Sequence, residues 1–313
     1  MKTLTKYLNE KLIIFPSQVD EKLVINKDYK DAYTCAPKSF EELKKIINDR
    51  YDKFGPGTKQ KPIDFNDVDV SNISSFYDEN INIGIFEDTK FEYIDISDWD
   101  VSNVENMVSM FHNCKQLKSI GDISYWDVSN VKGMSVMFSN CKQLKSVGDL
   151  SNWKVSGVKN MFYMFQGCEQ LKLVGDLSKW VVSNVEDMSN MFCDCHNLKS
   201  IGDLSDWDVS KVDSISSMFR RCEQLTSVGN LTHWDVSKVE DISHMFSECK
   251  QLKSVGDLSN WDVSKVENMS AMFYECRQLK SLGDLSKWNI SNVRFMYFMF
   301  AKSGITNIPK WYK

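Results

Sequence analysis

The sequence predicts an α/β solenoid, a rod of stacked coils in which tight turns join a short strand to a helical segment. Two observations support this fold class. From Trp99 onward one motif recurs every 27 residues, and within it the apolar residues follow a step of about three. That step fits neither a long amphipathic helix nor an alternating strand, but a backbone that turns a corner every few residues produces it. A fixed repeat of this length is typical of a solenoid.

Three columns of identical residues define the repeat. Tryptophan occupies positions 99, 126, 153, 180, 207, 234, 261 and 288; the Met-Phe pair begins at positions 110, 137, 164, 191, 218, 245, 272 and 299; glycine occupies positions 121, 148, 175, 202, 229, 256 and 283. One unit alone cannot fold, because ordering its backbone costs about 1–2 kcal/mol per residue, at least as much as burial of its apolar side chains contributes. Stacked units cover each other's apolar edges.

We divide the chain into two regions. Residues 1–64 are expected to form a small N-terminal α+β capping region with one amphipathic helix and with residues 21–26, EKLVIN, as a candidate strand. Residues 65–313 are expected to form the solenoid, which comprises a degenerate first unit over residues 65–98 and eight 27-residue coils over residues 99–313. Terminal units of a solenoid must cover its apolar ends, which is the role expected of the first region.

Both ends of the chain carry terminating signals. In the capping helix, Ser39 as N-cap and Glu42 three residues later form a capping box, and Gly55 supplies a stop. At the other end, Pro309 is expected to end strand pairing, and residues 310–313, KWYK, are expected to shield the last edge.

Each coil is expected to contain one helical and one strand segment. Residues 104–114, VENMVSMFHNC, place apolar residues at three-and-four spacing on one helix face. Residues 117–121, LKSIG, form the best strand candidate, and the glycine at its end indicates a bulge. The DVSN tetrapeptide at the start of each coil predicts a turn.

The repeated tryptophans and cysteines are expected to fill the interior, with an exposed tryptophan track for sugar rings as the alternative. Seven cysteines lie 27 residues apart, one thiol per coil. That arrangement favours small buried hydrophobes over zinc, which takes four converging ligands. Cys193 lies outside this column and is expected to be exposed. The aspartates after each glycine, such as Asp122, are expected to be neutralised by turn amides or lysines, with bound calcium as the alternative.

Composition and motifs exclude several classes of function. The formal net charge is -5 with both signs mixed along the chain, so no basic face is available for nucleic acid. No apolar run is long enough for a membrane span or a secretory signal. We therefore expect no membrane insertion and a protein that is cytoplasmic as synthesised, unless a virion carries it or a non-Sec route exports it.

Catalytic signatures do not occur in the sequence. The motifs GxSxG, HExxH, GxGxxG and GxxxxGK[ST] are absent, and the four histidines occupy positions that vary between units. We expect a non-enzymatic protein, and we assign no catalytic, cofactor-binding or metal-binding residues.

The string SNVENMVSMFHNC, residues 102–114, resembles the BspA-like leucine-rich-repeat surface proteins, in the branch whose units read WDVSNVxxMxxMFxxC. The likeness extends over about residues 65–313. It implies a leucine-rich-repeat-like solenoid that is non-enzymatic and binds proteins or attaches to cell surfaces. Such proteins are found in bacteria, in some protists and in phage genomes, and the secreted members carry a signal peptide.

The positions that vary between coils carry the candidate partner-binding residues. Exposed aromatic and arginine side chains are favoured interface anchors, and the coils vary most before each tryptophan and around the Met-Phe pair. Five residues are selected on this basis: Tyr125, Phe162, Tyr163, Arg220 and Arg221. The predicted partner is a protein or glycan surface.

A second functional hypothesis comes from the N-terminus. The segment MKTLTKYLNE looks like the head-targeting segments of some phage internal proteins, which end in an apolar-x-Glu cleavage site, as Leu8-Asn9-Glu10 does. The alternative function is therefore a structural or decoration protein of a tailed bacteriophage particle.

Overall fold

The computed structural model describes residues 33–312. The predicted helix, α1, spans Phe40–Phe54; the Ser39 side chain accepts the Glu42 N–H at 3.3 Å at its start, and Gly55 ends it with φ 72°. Leu43 and Ile47 are buried in the same core as the repeats. The candidate strand over residues 21–26 lies outside the described residues.

Regular strands are short and lie near α1. Strand β1 (Ile63–Asp64) pairs in parallel with β4 (Ile94–Asp95), and β2 (Tyr77–Asp78) pairs in antiparallel fashion with β3 (Ile83–Gly84). The rest of the described chain consists mainly of turns and isolated bridges, with four short 3-10 helices. These four helices precede tryptophans: Leu150–Asn152, Leu177–Lys179, Leu231–His233 and Leu285–Lys287.

The prediction of a helix over residues 104–114 is wrong. This segment is a chain of tight turns in which Met110 N–H donates to Met107 C=O and His112 N–H donates to Ser109 C=O. Ser109 and Asn113 have φ of 53° and 60°, the left-handed conformation, which a continuous α-helix does not contain. Left-handed residues recur at the equivalent positions of later coils.

The amide groups that a helix would have used internally bind the next coil instead. Ser109 N–H donates to Ser135 C=O at 3.1 Å, and Phe111 N–H donates to Met137 C=O at 2.8 Å. The three-and-four spacing of apolar residues therefore reflects successive turns that all send a side chain inward. Hydrogen bonding between coils decides the conformation, because it satisfies every second amide of the segment.

The longest column of backbone pairing also lies in this turn segment. Parallel bridges connect successive coils at residues 75, 106, 133, 160, 187, 214, 241, 268 and 295. The predicted strand over residues 117–121 is wrong, because this segment has only a single bridge, from Tyr93 to Ser119. Its equivalents in the next coils form a short series of bridges, Ser146 to Leu173 to Ser200. The turn predicted for DVSN is confirmed, since Val104 N–H donates to Val101 C=O at 2.9 Å.

Vertical files of identical side chains form the interior. Phe111 and Phe138 stack with ring centroids 5.4 Å apart and planes 5° apart, and Trp180 and Trp207 stack at 6.5 Å and 2°. The polar atoms in these files have backbone acceptors: Trp207 Nε1 donates to Leu177 C=O at 3.0 Å. Interior tryptophans are confirmed, and the fold is a repeat solenoid in which each unit is completed by its neighbours.

Different groups cover the two ends of these files. At the degenerate first unit, Tyr51 of α1 packs edge-on against Phe91, with ring centroids 5.1 Å apart. At the last coil, Trp311 stacks on Trp288 at 6.2 Å, and Tyr312 packs edge-on against Phe300 at 5.1 Å. The predicted shielding is thus confirmed for the interior side chains of the last coil, which Trp311 and Tyr312 cover.

Candidate partner-binding ridge

The turn segment of each coil has four positions outside the interior files, two between the methionines and two between Phe and Cys; most are at least partly exposed, whereas some, such as Gly167 and Cys193, are buried. We call the stack of these positions the ridge; in coil three they are Phe162, Tyr163, Gln166 and Gly167. Hydrogen bonds between coils fix the ridge backbone, as where Tyr163 N–H donates to Ser189 C=O at 3.0 Å. The ridge therefore holds variable side chains on a constant, rigid frame.

An aromatic pair stands on the ridge in coil three. Phe162 and Tyr163 pack edge-on with ring centroids 5.4 Å apart, and Tyr163 is exposed at its own left-handed position, φ 57°. The equivalent residues of the next coil are the small polar Ser189 and Asn190. The aromatic pair therefore projects next to the shorter polar side chains of the following coil, and the side of the pair that faces them is open for contact.

Two arginines stand on the ridge two coils further along. Arg221 is held between acidic residues of both neighbouring coils, with Nη1 2.9 Å from Asp194 Oδ1 and Nε 3.9 Å from Glu248 Oε2. Arg220 Nε is covered by protein and has no hydrogen-bond partner in the described part of the chain. In the next coil, burial and the positive charge of Arg220 lower the pKa of the His244 imidazole.

The structure brings four of the five predicted residues onto one surface. Phe162 and Tyr163 lie two coils from Arg220 and Arg221, about 10 Å along the rod at the usual spacing of paired strands. Tyr125, 65% exposed, belongs to a different column, at the coil corner before Trp126. It is not part of the ridge.

Sequence reasoning missed a third group of exposed residues, which comprises two ridge residues of the last coil, Tyr297 and Phe298, and the adjacent Phe295. Phe295, Tyr297 and Phe298 of the last coil are 48%, 65% and 68% exposed. The signal was present in the string FMYF, residues 295–298, which carries three aromatic residues where the preceding coil has Asn268, Ser270 and Ala271.

The eight cysteines of the repeats, Cys114 to Cys276, lie inside. Each thiol of the main column donates to the carbonyl of a phenylalanine in the preceding unit, as Cys222 does to Phe192 C=O at 3.1 Å. The expectation that Cys193 is exposed is wrong, since only 4% of it is accessible; the neighbouring coils cover it because their backbones are bonded on both sides. Burial raises the pKa of the Cys193 and Cys276 thiols to about 12.

These thiols are predicted to be inert in the folded protein, because the thiolate is the reactive form and burial excludes the reagent. Iodoacetamide treatment followed by mass spectrometry should modify Cys35, the partly exposed cysteine, well before the eight buried ones. All nine should react once guanidinium unfolds the chain. Rapid modification of Cys193 under native conditions would contradict the burial described above.

The aspartates that follow the glycines act as turn acceptors. Asp203 Oδ1 accepts the Ser205 N–H at 3.0 Å and also the Ser205 hydroxyl, and these hydrogen bonds hold the pKa of the Asp203 carboxyl below its ordinary value. Hydrogen bonds from turn amides thus stabilise the negative charges of these aspartates, which was the first of the two expectations. Residues 33–312 contain no group of three or more His, Cys, Asp or Glu side chains arranged to hold a metal ion.

No helix within the described residues is long and apolar enough to cross a bilayer. The geometry as a whole defines a repeat solenoid with a variable outer ridge.

The chain belongs to the family described as "Mycoplasma protein of unknown function, DUF285", whose model matches residues 79–201, 147–254 and 197–311. The overlap of these matches reflects the internal repeat. A search of curated proteins gave no significant match.

Three solved structures are similar to this chain. The first is a leucine-rich repeat protein from Eubacterium ventriosum, with 17% identity, coverage of 79% of this chain and 78% of that one, and a TM-score of 0.36. The second is a leucine rich cell surface protein from Faecalibacterium prausnitzii, with 15% identity, coverage of 75% and 87%, and a TM-score of 0.18. The third, a leucine-rich repeat protein from Bacteroides ovatus, has 18% identity, coverage of 69% and 65%, and a TM-score of 0.18.

Proposed function

We propose that this chain is a non-enzymatic scaffold of the BspA-like leucine-rich-repeat kind, which recognises a partner surface through its ridge in an adhesion-type interaction. One observation carries the proposal. The interior files repeat almost without change, whereas the ridge residues differ from coil to coil and include an exposed tyrosine, Tyr163, together with the partly buried Phe162, Arg220 and Arg221. A constant frame with variable outward side chains is the arrangement expected of a repeat protein that binds other molecules.

The ridge chemistry favours a protein partner over a glycan. Aromatic and arginine side chains dominate binding energy at protein interfaces, particularly where neighbours hold them in place. Arg221 is held in this way by Asp194 and Glu248, so little side-chain entropy is lost when a carboxylate of the partner approaches. The repeated tryptophans cannot supply a sugar track, because at most 5% of each is accessible.

The division of the chain forms part of the same proposal. Residues 1–64 act as the N-terminal cap of a solenoid over residues 65–313, whose eight regular coils begin at Trp99. Adhesion also requires that the ridge be displayed at the surface of a cell or particle.

The test is a pull-down or surface-binding assay with ridge variants. Replacing Phe162, Tyr163, Arg220 and Arg221 together with alanine should lower capture of the partner about tenfold or more, since each anchor contributes on the order of 1–2 kcal/mol. Tyr125→Ala is the matched control, because it removes an exposed tyrosine outside the ridge and should leave capture unchanged.

Two results would redirect this proposal. Capture that is equal for wild type and the fourfold variant rejects the ridge as the binding surface. Loss of capture in Tyr125→Ala alone places the site at the coil corners instead.

The alternative function, a structural or decoration protein of a tailed phage particle, is favoured only by the Leu8-Asn9-Glu10 string, which lies outside the described residues. Co-expression with a phage head protease and measurement of the intact mass tests it. Cleavage after Glu10 supports the phage hypothesis, and an uncut chain rejects that processing.

A further inference from the structure

We propose that two copies of this chain associate head to head through the open edge of the last coil, residues 294–298, about a two-fold axis that passes through Phe295. This inference concerns assembly and does not depend on the ridge partner proposed above. It rests on unpaired backbone groups, exposed aromatic side chains and the charge arrangement at this edge.

Among residues 33–312, the column of backbone bridges ends at Phe295. In the preceding coil, Met269 N–H donates to Phe295 C=O at 2.8 Å, and Glu267 C=O accepts the Arg294 N–H at 2.8 Å. The equivalent outward groups of the last coil are Met296 N–H and Arg294 C=O, and neither has a hydrogen-bond partner among residues 33–312. An unpaired edge of this kind is a template for pairing with another chain.

The side chains at this edge are apolar. Phe295, Tyr297 and Phe298 are about half to two-thirds exposed, and the Phe295 and Tyr297 rings lie 6.3 Å apart. Trp311 and Tyr312 cover the interior files but leave these three side chains uncovered. A contiguous aromatic patch next to open backbone groups indicates an interface.

The geometry of the edge selects a second copy as the occupant. Arg294 C=O and Met296 N–H flank one residue, Phe295, and face the same way. Two such edges that run antiparallel therefore exchange two hydrogen bonds, each N–H donating to the other copy's C=O. A contact of this type is self-complementary, as a two-fold interface requires. The aromatic side chains of both copies then meet around the axis.

The charges at this edge permit close approach of two copies. Arg294 is the charged residue of the edge segment 294–298, and its Nη1 lies 3.3 Å from Glu267 Oε2, so this cation is paired within its own chain. A head-to-tail arrangement is disfavoured, because at the degenerate first unit Lys44 Nζ already donates to Gly84 C=O and Ile85 C=O, at 3.2 Å and 2.7 Å.

Sedimentation analysis over a range of concentrations tests the proposal. Wild type should form a dimer, and the triple variant F295N/Y297S/F298N should raise the dissociation constant about tenfold or more. These replacements fit the fold, because inner coils carry Asn268, Ser270 and Asn190 at the equivalent positions. Asn190 has φ 57°, nearly the same as the 58° of Phe298, so asparagine is compatible with this left-handed conformation. The matched control is F162S/Y163N, which removes the aromatic pair from a covered coil and should remain dimeric.

A cysteine at the proposed axis tests the symmetry. In a non-hydrogen-bonded antiparallel pair the Cα atoms lie about 4.5 Å apart, a separation that allows a disulfide. F295C should therefore form a disulfide-linked dimer on mild oxidation, whereas Y163C and wild type should not. Three results overturn the proposal: monomeric wild type at the highest soluble concentration, a triple variant that is as dimeric as wild type, or F295C that does not cross-link.

Discussion

Trp207→Ala is expected to lower the free energy of unfolding by about 3–5 kcal/mol, the usual cost of truncating a large buried side chain. Trp207 is 3% exposed and stacks between Trp180 and Trp234, with ring centroids 6.5 Å from each. The change also leaves Leu177 C=O without the indole N–H that it accepts at 3.0 Å. Urea denaturation followed by circular dichroism measures the loss.

The position of Trp207 in the middle of the stack adds a second expectation. Contacts in a solenoid are made only between neighbouring coils, so a weakened central interface separates the unfolding of the two halves. The denaturation curve should therefore broaden as well as shift. Tyr125→Ala is the control, because this exposed residue should change stability by less than about 0.5 kcal/mol. A similar loss in both variants would contradict the interior tryptophan file.

Gly229→Ala is expected to destabilise the protein by about 2–4 kcal/mol. Gly229 has φ 89°, where an L-residue carries strain of about 1–3 kcal/mol. In addition, an added Cβ would overlap Asp203 Oδ1 of the preceding coil. That oxygen holds the turn at Ser205, so it cannot move away without breaking two hydrogen bonds.

Gly157→Ala is the matched control for this substitution. Gly157 has no positive φ, and its added Cβ would meet Val131 O at 3.1 Å, a contact that a small shift relieves. Thermal unfolding of the two variants should show a large decrease in Tm for Gly229→Ala and a small change for Gly157→Ala. Equal decreases would mean that the Asp203 turn does not pack against Gly229.

The repeat and its interior could be predicted from the sequence because strict periodicity fixes which residues share an environment. Trp207, Phe219 and Cys222 recur at one interval, and all three are buried. Helix α1 was predictable for a different reason, since Ser39 and Gly55 supply local end signals that depend on no other part of the chain.

The path of the backbone within a coil could not be predicted in the same way. Apolar spacing over residues 104–114 is the same for a helix and for successive turns, and only the amide partners differ. Those partners, such as Ser135 C=O for Ser109 N–H, belong to another coil, so propensity within one segment does not reveal them.

The candidate site was predictable in part. Sequence variation between the coils identified Phe162, Tyr163, Arg220 and Arg221, and all four lie on the ridge. The separate column of Tyr125 depends on where the coil turns, and the burial of Cys193 depends on how closely adjacent coils pair. The edge at Phe295 went unnoticed, because only the folded stack shows that the bridge column of residues 33–312 ends there.

The most direct test of the stacked-coil arrangement is the distance between spin labels at equivalent corners of different coils. Labels at Asn152 and Asp206, Asn152 and Asn260, and Tyr125 and Lys287 are separated by two, four and six coils of 27 residues each. Pulsed electron paramagnetic resonance should give distances that increase steadily by about 5 Å per coil, the spacing of paired backbones. Distances that do not increase with coil separation would contradict the solenoid.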